Sequence, residues 1–201
     1  MHYSYLALGD SYTIGEQVLL SDSFPYQTVQ LLRSKKIKIT APEIIAKTGW
    51  TTDELHAAMV QTIFLEKYDF VSLLIGVNNQ YRERSTVNYE NEFDQLLKIA
   101  IKLAGNISQN VFVLSIPDWG VTPFAKDRDT KKIESEINAY NHVCKKITLK
   151  YSCKFLDITT AQKQNSNNAK MVAADGLHPS ALEYSKWAKI LSHAILEGCL
   201  I

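Results

Sequence analysis

The chain has 201 residues, 46% of them hydrophobic and 21% charged, which is apolar material for one ordinary core and gives no sign of two. A formal net charge of +1 removes the electrostatic basis for a nucleic-acid or anionic-membrane partner. No run approaches the roughly 18 apolar residues of a membrane span, and Met1-His2-Tyr3-Ser4-Tyr5 leads into a strand-like segment without a basic leader, so a single cytoplasmic domain over 1–201 is expected.

Strand and helix signals alternate from the N-terminus. The first strand is read at Tyr3 to Leu8, followed by the turn-forming Gly9-Asp10-Ser11. A helix begins near Pro25, whose fixed φ suits a first turn, and carries Val29, Leu31 and Leu32. The second strand is read at Lys38 to Ala46 and ends at Lys47-Thr48-Gly49-Trp50. Thr51-x-x-Glu54 has the form of a capping box and opens a helix carrying Leu55, Met59 and Ile63. The third strand, Phe70 to Ile75, is almost wholly apolar, as strands buried on both faces are, and ends at Gly76-Val77-Asn78-Asn79.

A helix over Asn88 to Leu103 shows Tyr89, Phe93, Leu96, Ala100 and Leu103 at helical spacing. The fourth strand, Val111 to Ile116, stops at Pro117. Beyond a loop through Trp119, Pro123 and Phe124, Ile133, Ile137, Tyr140, Cys144 and Ile147 mark one helical stripe. The fifth strand is Lys154 to Ile158. Gln162 to Lys170 is polar and Asn-rich and reads as a mobile surface loop, and a last helix opens at Pro179 with Leu182, Trp187, Leu191 and Ile195. Five strands alternating with helices predict a three-layer α/β/α sandwich on a parallel sheet, and right-handed crossovers favour the order 2-1-3-4-5. The crevice then opens between the first and third strands, which end at Ser11 and Asn78.

A serine at that rim is inert without a base, and a base needs an orienting acid. Of the five histidines, His2 is terminal and His56, His142 and His193 fall on helices. His178 follows Asp175-Gly176-Leu177 in a tight turn that the topology brings to the same rim. Each piece alone has a plain structural reading: Gly-Asp-Ser as a turn, Asp-x-x-His as a helix-capping acid beside a surface histidine. Together with the Asn78 amide, the Gly49 N–H and the Ser11 N–H as oxyanion donors, they compose an acyl-transfer site. The cysteines Cys144, Cys153 and Cys199 lack metal-ligand spacing and leave one over under any pairing, so reduced thiols and no metal are expected. No Gly-x-Gly-x-x-Gly or phosphate-loop lysine is present, and no cofactor is expected.

In this order the motifs resemble those of the SGNH hydrolases, the GDSL-type esterases and lipases: Gly9-Asp10-Ser11, Gly49, Gly76-x-Asn78 and Asp175-x-x-His178. The resemblance implies a flavodoxin-like sandwich in which Ser11 is the nucleophile, His178 the general base and Asp175 its orienter. It also implies an oxyanion hole made by Ser11, Gly49 and Asn78. Two positions depart from the family pattern: Tyr12 stands where Leu is frequent, and Asn79 where Asp is frequent. Trp50, Tyr81, Trp119 and Leu177, adjacent to these residues or to a strand end, are the candidate substrate pocket, with core packing as the alternative. Arg82 and Arg84 read as solvated charges, with an anionic headgroup as the alternative. The expected partner is a small-molecule ester, short-chain esters first, with lysophospholipids, thioesters and acetylated sugars as alternatives. Acyl transfer to an alcohol and a non-catalytic binding module on the same fold are the rival readings, and oligomeric state is left open.

Overall fold

A computed structural model describes residues 2–165 and 168–199. Its centre is a five-stranded, wholly parallel sheet in the expected order β2-β1-β3-β4-β5. The strands are β1 (Tyr5–Asp10), β2 (Glu43–Lys47), β3 (Phe70–Leu74), β4 (Val111–Leu114) and β5 (Lys154–Leu156). β1, β3 and β4 are buried throughout, the mark of strands covered on both faces. Helices α2 (Phe24–Ser34) and α8 (Ala181–Cys199) pack together on one side of the sheet. On the other side α5 (Thr86–Leu103) packs against α3 (Thr52–Gln61) and α6 (Thr130–Lys150).

Several boundaries differ from expectation for local reasons. β1 runs on through Gly9 and Asp10, so Gly9 is a strand residue and the chain turns at Ser11. Glycine is required there by space, since a Cβ would collide with the Thr13 hydroxyl and the Leu74 carbonyl. β2 begins only at Glu43: Pro42 has no N–H to give a ladder, and upstream only Ile39 bridges Tyr3. β4 stops at Leu114 because the backbone of Ile116 leaves the sheet for a side chain, its N–H donating to Asn141 Oδ1 (2.8 Å) and its carbonyl accepting from Asn141 Nδ2 (2.9 Å). β5 ends at Leu156, since Ile158 N–H donates instead to Ser115 Oγ (3.0 Å).

Two apolar residues fall outside the faces expected for them. α3 ends at Gln61 and Thr62 is extended, which leaves Ile63 beyond the helix and 96% exposed. The last helix opens at Ala181, not Pro179; its buried face is Tyr184, Trp187, Ala188, Leu191 and Ile195, and Leu182 points away at 47% exposure. The polar stretch from Gln162 to Lys170 is not one loop. Its first residues belong to a helix, α7 (Thr159–Gln164), and its last begin a 3-10 turn at Ala169–Met171, while Ser166 and Asn167 lie outside the described residues. Cys144 and Cys153 are free and buried; the Cys199 side chain lies outside the described set. Among the described residues no helix is long and apolar enough to cross a membrane.

Candidate active site

The sheet register builds the site's floor. Asp10 is paired with Lys47 and Gly9 with Leu74, so β1, β2 and β3 end level and deliver Ser11, the Thr48–Trp50 turn and Asn78 to one rim. Ser11 opens a single helical turn, α1 (Ser11–Ile14), capped by Asp10, whose Oδ1 accepts the Tyr12 N–H at 3.0 Å. The N–H of Ser11 is thus a first-turn donor without an intrahelical partner. Asn78 sits on a second short helix, α4 (Val77–Tyr81). Asp10 is fully buried, and burial pushes its carboxyl up to about 7 against the pull of hydrogen bonds from Tyr12 N–H, its own N–H and Asn78.

His178, the base expected from the sequence, arrives from the opposite end of the chain. Residues 172 to 179 form a closed loop, held by the antiparallel bridge of Val172 to Pro179 and by Ala173 N–H donating to the His178 carbonyl at 2.8 Å. Gly176, at φ +72, makes the reversal. Inside the loop Asp175 Oδ1 accepts the N–H groups of Leu177 and His178, both at 3.0 Å, and Oδ2 faces His178 Nδ1 at 2.6 Å. Partial burial pushes the Asp175 carboxyl up, but the His178 ring and these two N–H groups outweigh it and leave it below the ordinary carboxylate value. The imidazole continues the line, with Nε2 3.0 Å from Ser11 Oγ. Tyr12 packs its ring 5.3 Å from that of His178 and 6.3 Å from that of Trp187, so the departure at this position supplies an aromatic neighbour to the imidazole.

The oxyanion donors expected from the sequence lie on the same cleft. Gly49 takes φ +83, a conformation that favours glycine, and among the described residues its N–H has no partner within the protein. Asn78 Nδ2 donates to the Trp50 carbonyl at 3.0 Å and to Asp10 Oδ2 at 3.4 Å, so both amide hydrogens have acceptors, and the longer bond to Asp10 is the one more easily exchanged for a ligand oxygen. Asn79 points the other way. It is fully buried and holds the backbone N–H and hydroxyl of Thr52 at the start of α3.

Ser11, His178, Gly49 and Asn78 open on a cleft of about 230 Å³ that is mostly apolar. Tyr81, Trp119 and Leu177 line it, and so do Tyr12, Thr48, Val77 and Phe124. Trp50 does not: its side chain packs partly against the core and its contribution is the carbonyl that Asn78 holds. Phe124 escaped the sequence reading because it is remote from every motif; the Trp119 ring bridges it to Tyr81, with centroids 6.0 and 5.4 Å apart. The indole is fixed in turn by the buried Gln80, whose Oε1 accepts from Trp119 Nε1 at 2.7 Å and whose Nε2 donates to Glu136 at 2.8 Å. Arg82 and Arg84 are not free charges: Arg82 contacts Glu54 and the Gly49 carbonyl, and Arg84 contacts Asp53. Among the described residues no group of three His, Cys, Asp or Glu side chains could hold a metal.

Solved structures share this architecture over almost the whole chain. The lipase/acylhydrolase from Enterococcus faecalis aligns with a TM-score of 0.76 at 18% identity, covering 96% of this chain and 95% of its own. Axe2, an acetylxylan esterase from Geobacillus stearothermophilus, aligns with a TM-score of 0.73 at 20% identity over 97% and 93%. TesA aligns with a TM-score of 0.71 at 16% identity over 96% and 97%. No curated protein matches the chain in sequence. The GDSL-like lipase/acylhydrolase family model matches residues 7–185, a span holding Ser11, Gly49, Asn78, Asp175 and His178, and the chain is therefore a hydrolase of that family.

Proposed function

We propose that the protein is a serine esterase that cleaves carboxylic esters of small acyl groups through an acyl-enzyme on Ser11. The observation that carries the reading is the unbroken line from Ser11 Oγ through the His178 ring to Asp175, ending in an apolar cleft beside the Gly49 and Asn78 donors. Neutral His178 accepts the Ser11 proton at Nε2 as Oγ attacks the ester carbonyl carbon. The ionised Asp175 holds the ring with its proton on Nδ1 and stabilises the imidazolium that forms. The carbonyl oxygen, now carrying negative charge, is met by Ser11 N–H, Gly49 N–H and the Asn78 amide. The tetrahedral species collapses, His178 hands its proton to the departing alkoxide, and the alcohol leaves. Water then repeats the sequence on the acyl-enzyme, with His178 again as base, releasing the acid and restoring Ser11.

The cleft supports the small-acyl part of the reading. Its volume of about 230 Å³ lies below the roughly 300–1,000 Å³ of pockets that take drug-sized ligands. The aromatic wall of Tyr81, Trp119 and Phe124 suits an apolar chain or a small ring. Acetyl-ester cleavage, the activity for which Axe2 is named, falls within this class.

Steady-state hydrolysis of p-nitrophenyl esters of increasing acyl length, for the native chain and Ser11→Ala, tests the proposal. The expected result is highest kcat/KM on the shortest acyl groups and a loss on the order of a thousandfold or more in the variant. Equal rates for the two proteins would remove the nucleophile, and a preference for long acyl chains would remove the small-acyl reading.

A further inference from the structure

The two oxyanion donors other than the Ser11 N–H, the Gly49 N–H and the Asn78 amide, are joined by one side chain. Arg82 follows α4 directly, with its own N–H donating to the Asn78 carbonyl at 3.0 Å. Its guanidinium crosses to the turn after β2: Nη2 donates to the Gly49 carbonyl at 2.6 Å, and Nη1 is 3.3 Å from each carboxylate oxygen of Glu54. Glu54 is itself fixed, because its Oε2 accepts the N–H of Thr51 at 2.9 Å. The next carbonyl in the same turn, that of Trp50, accepts from Asn78 at 3.0 Å. Two successive peptides of the Gly49 turn are therefore held from α4, one by Asn78 and one by Arg82.

A glycine at φ +83 has no side chain to pin its peptides, and it can reach other backbone conformations at low cost. An oxyanion donor, by contrast, acts only if it is already within hydrogen-bond range of where the charge will develop. The bond from Arg82 to the Gly49 carbonyl, with the Trp50 N–H donating to the Lys47 carbonyl at 3.2 Å on the other edge of the same peptide, supplies what glycine lacks. Stability does not explain the arrangement, since the Arg82–Glu54 pair is 43% and 40% exposed and pairs of that kind contribute little. We propose that Arg82 is a positioning residue of the oxyanion hole, locking the Gly49 turn to α4 so that the Gly49 N–H and the Asn78 amide converge on one oxygen. The inference rests on Ser11 being the nucleophile. Arg82 does not touch the reacting atoms; it fixes the Gly49–Trp50 peptide, which adjoins at the Gly49 Cα the Thr48–Gly49 peptide that carries the N–H.

The test compares the native chain, Ser11→Ala, Arg82→Ala and Arg82→Lys on a short p-nitrophenyl ester, with thermal unfolding of each. Arg82→Ala is expected to lower kcat about 10- to 100-fold, the scale of a small misplacement of catalytic groups, with KM nearly unchanged and the unfolding midpoint kept. Millimolar guanidinium chloride, well below denaturing concentrations, should restore part of that kcat in Arg82→Ala and leave the native rate unaltered. Arg82→Lys, which can reach one acceptor but not both, should fall between. A kcat within twofold of native in Arg82→Ala, while Ser11→Ala is inactive, overturns the positioning role and leaves the nucleophile standing. A rise in KM at constant kcat, or a loss in Arg82→Ala that guanidinium does not relieve, also overturns it. Native-level activity in Ser11→Ala, or no turnover by the native chain, removes the esterase reading and this inference with it.

Discussion

Asn79 grips Thr52 with both ends of its amide, accepting the Thr52 N–H on Oδ1 at 3.1 Å and donating from Nδ2 to Thr52 Oγ1 at 2.6 Å. The hydroxyl so engaged still has its own proton, which it donates to Glu92. An amide at position 79 therefore completes a chain that a carboxylate could not, because Thr52 has one proton and would face two acceptors. The departure from the frequent Asp is matched by its surroundings, and its place in the structure is to tie α4 to the start of α3.

Asn79→Asp is accordingly expected to destabilise the protein at neutral pH by about 1–3 kcal/mol, the cost of leaving a buried acceptor without a donor. The deficit should shrink as pH falls from 7 to 4, because burial raises the pKa of the introduced carboxyl and lets it carry a proton. Urea unfolding of both proteins at pH 7 and pH 4 reads this directly, and an equal difference at the two pH values would contradict it.

Asp10 gives a second pH-dependent term. Its folded-state value of about 7 lies above the unfolded 3.8, so the folded chain binds the proton more tightly and the stability this contributes is complete below about pH 4. It is lost as pH rises through 7. At up to about 1.4 kcal/mol per unit, the loss reaches roughly 4 kcal/mol. Asp10→Asn removes the titration, so its stability relative to native should climb between pH 4 and pH 8 whatever constant offset the new amide introduces beside Asn78. A flat difference across that range would show that Asp10 is ionised throughout.

In the proposed mechanism Asp175 acts through the His178 ring. Its Oδ2 lies 2.6 Å from His178 Nδ1 and two backbone N–H groups hold Oδ1, so Asp175→Asn preserves most of the loop while putting a donor where the ring nitrogen has its proton. The ring then turns the wrong tautomer toward Ser11. A fall in kcat on the order of 10³–10⁴-fold is expected, the size of the effect of the same exchange in a serine-protease triad. A loss below tenfold would mean that Asp175 is not the orienter.

Trp119 should set the depth of the cleft. Its ring stands between Tyr81 and Phe124 and is held by Gln80, so Trp119→Ala opens space that a longer acyl chain can fill. The preferred p-nitrophenyl ester should move to longer chains by several carbons while the acetate rate falls. An unchanged length profile would place the acyl group elsewhere.

The parallel sheet was legible because its strands are apolar runs separated by helical stripes, and crossover handedness narrowed the strand orders to a few common ones, 2-1-3-4-5 among them. What eluded the sequence was short or non-local. Four residues at Ser11–Ile14 and five at Val77–Tyr81 are too few for a helical period, although Asp10 ahead of Ser11 is a capping signal that marks the first. α7 is polar along most of its length and carries no stripe. The motif residues could be named from their order along the chain, but Phe124 in the cleft and Trp50 outside it depend on how loops fold back, and the Arg82 clamp joins residues 33 apart. An exposed arginine after a motif reads as a solvated charge until its partner is seen.

The central claim is that Ser11 is a nucleophile activated by His178. Incubating the native chain with a small alkyl fluorophosphonate and locating the adduct by peptide mass mapping tests it without any assumption about the substrate. The account predicts one phosphonyl group per chain, on Ser11, no adduct in Ser11→Ala, and far slower labelling in His178→Ala. Labelling of Ser11→Ala at the native rate, or an adduct on another residue of the native chain, would contradict it.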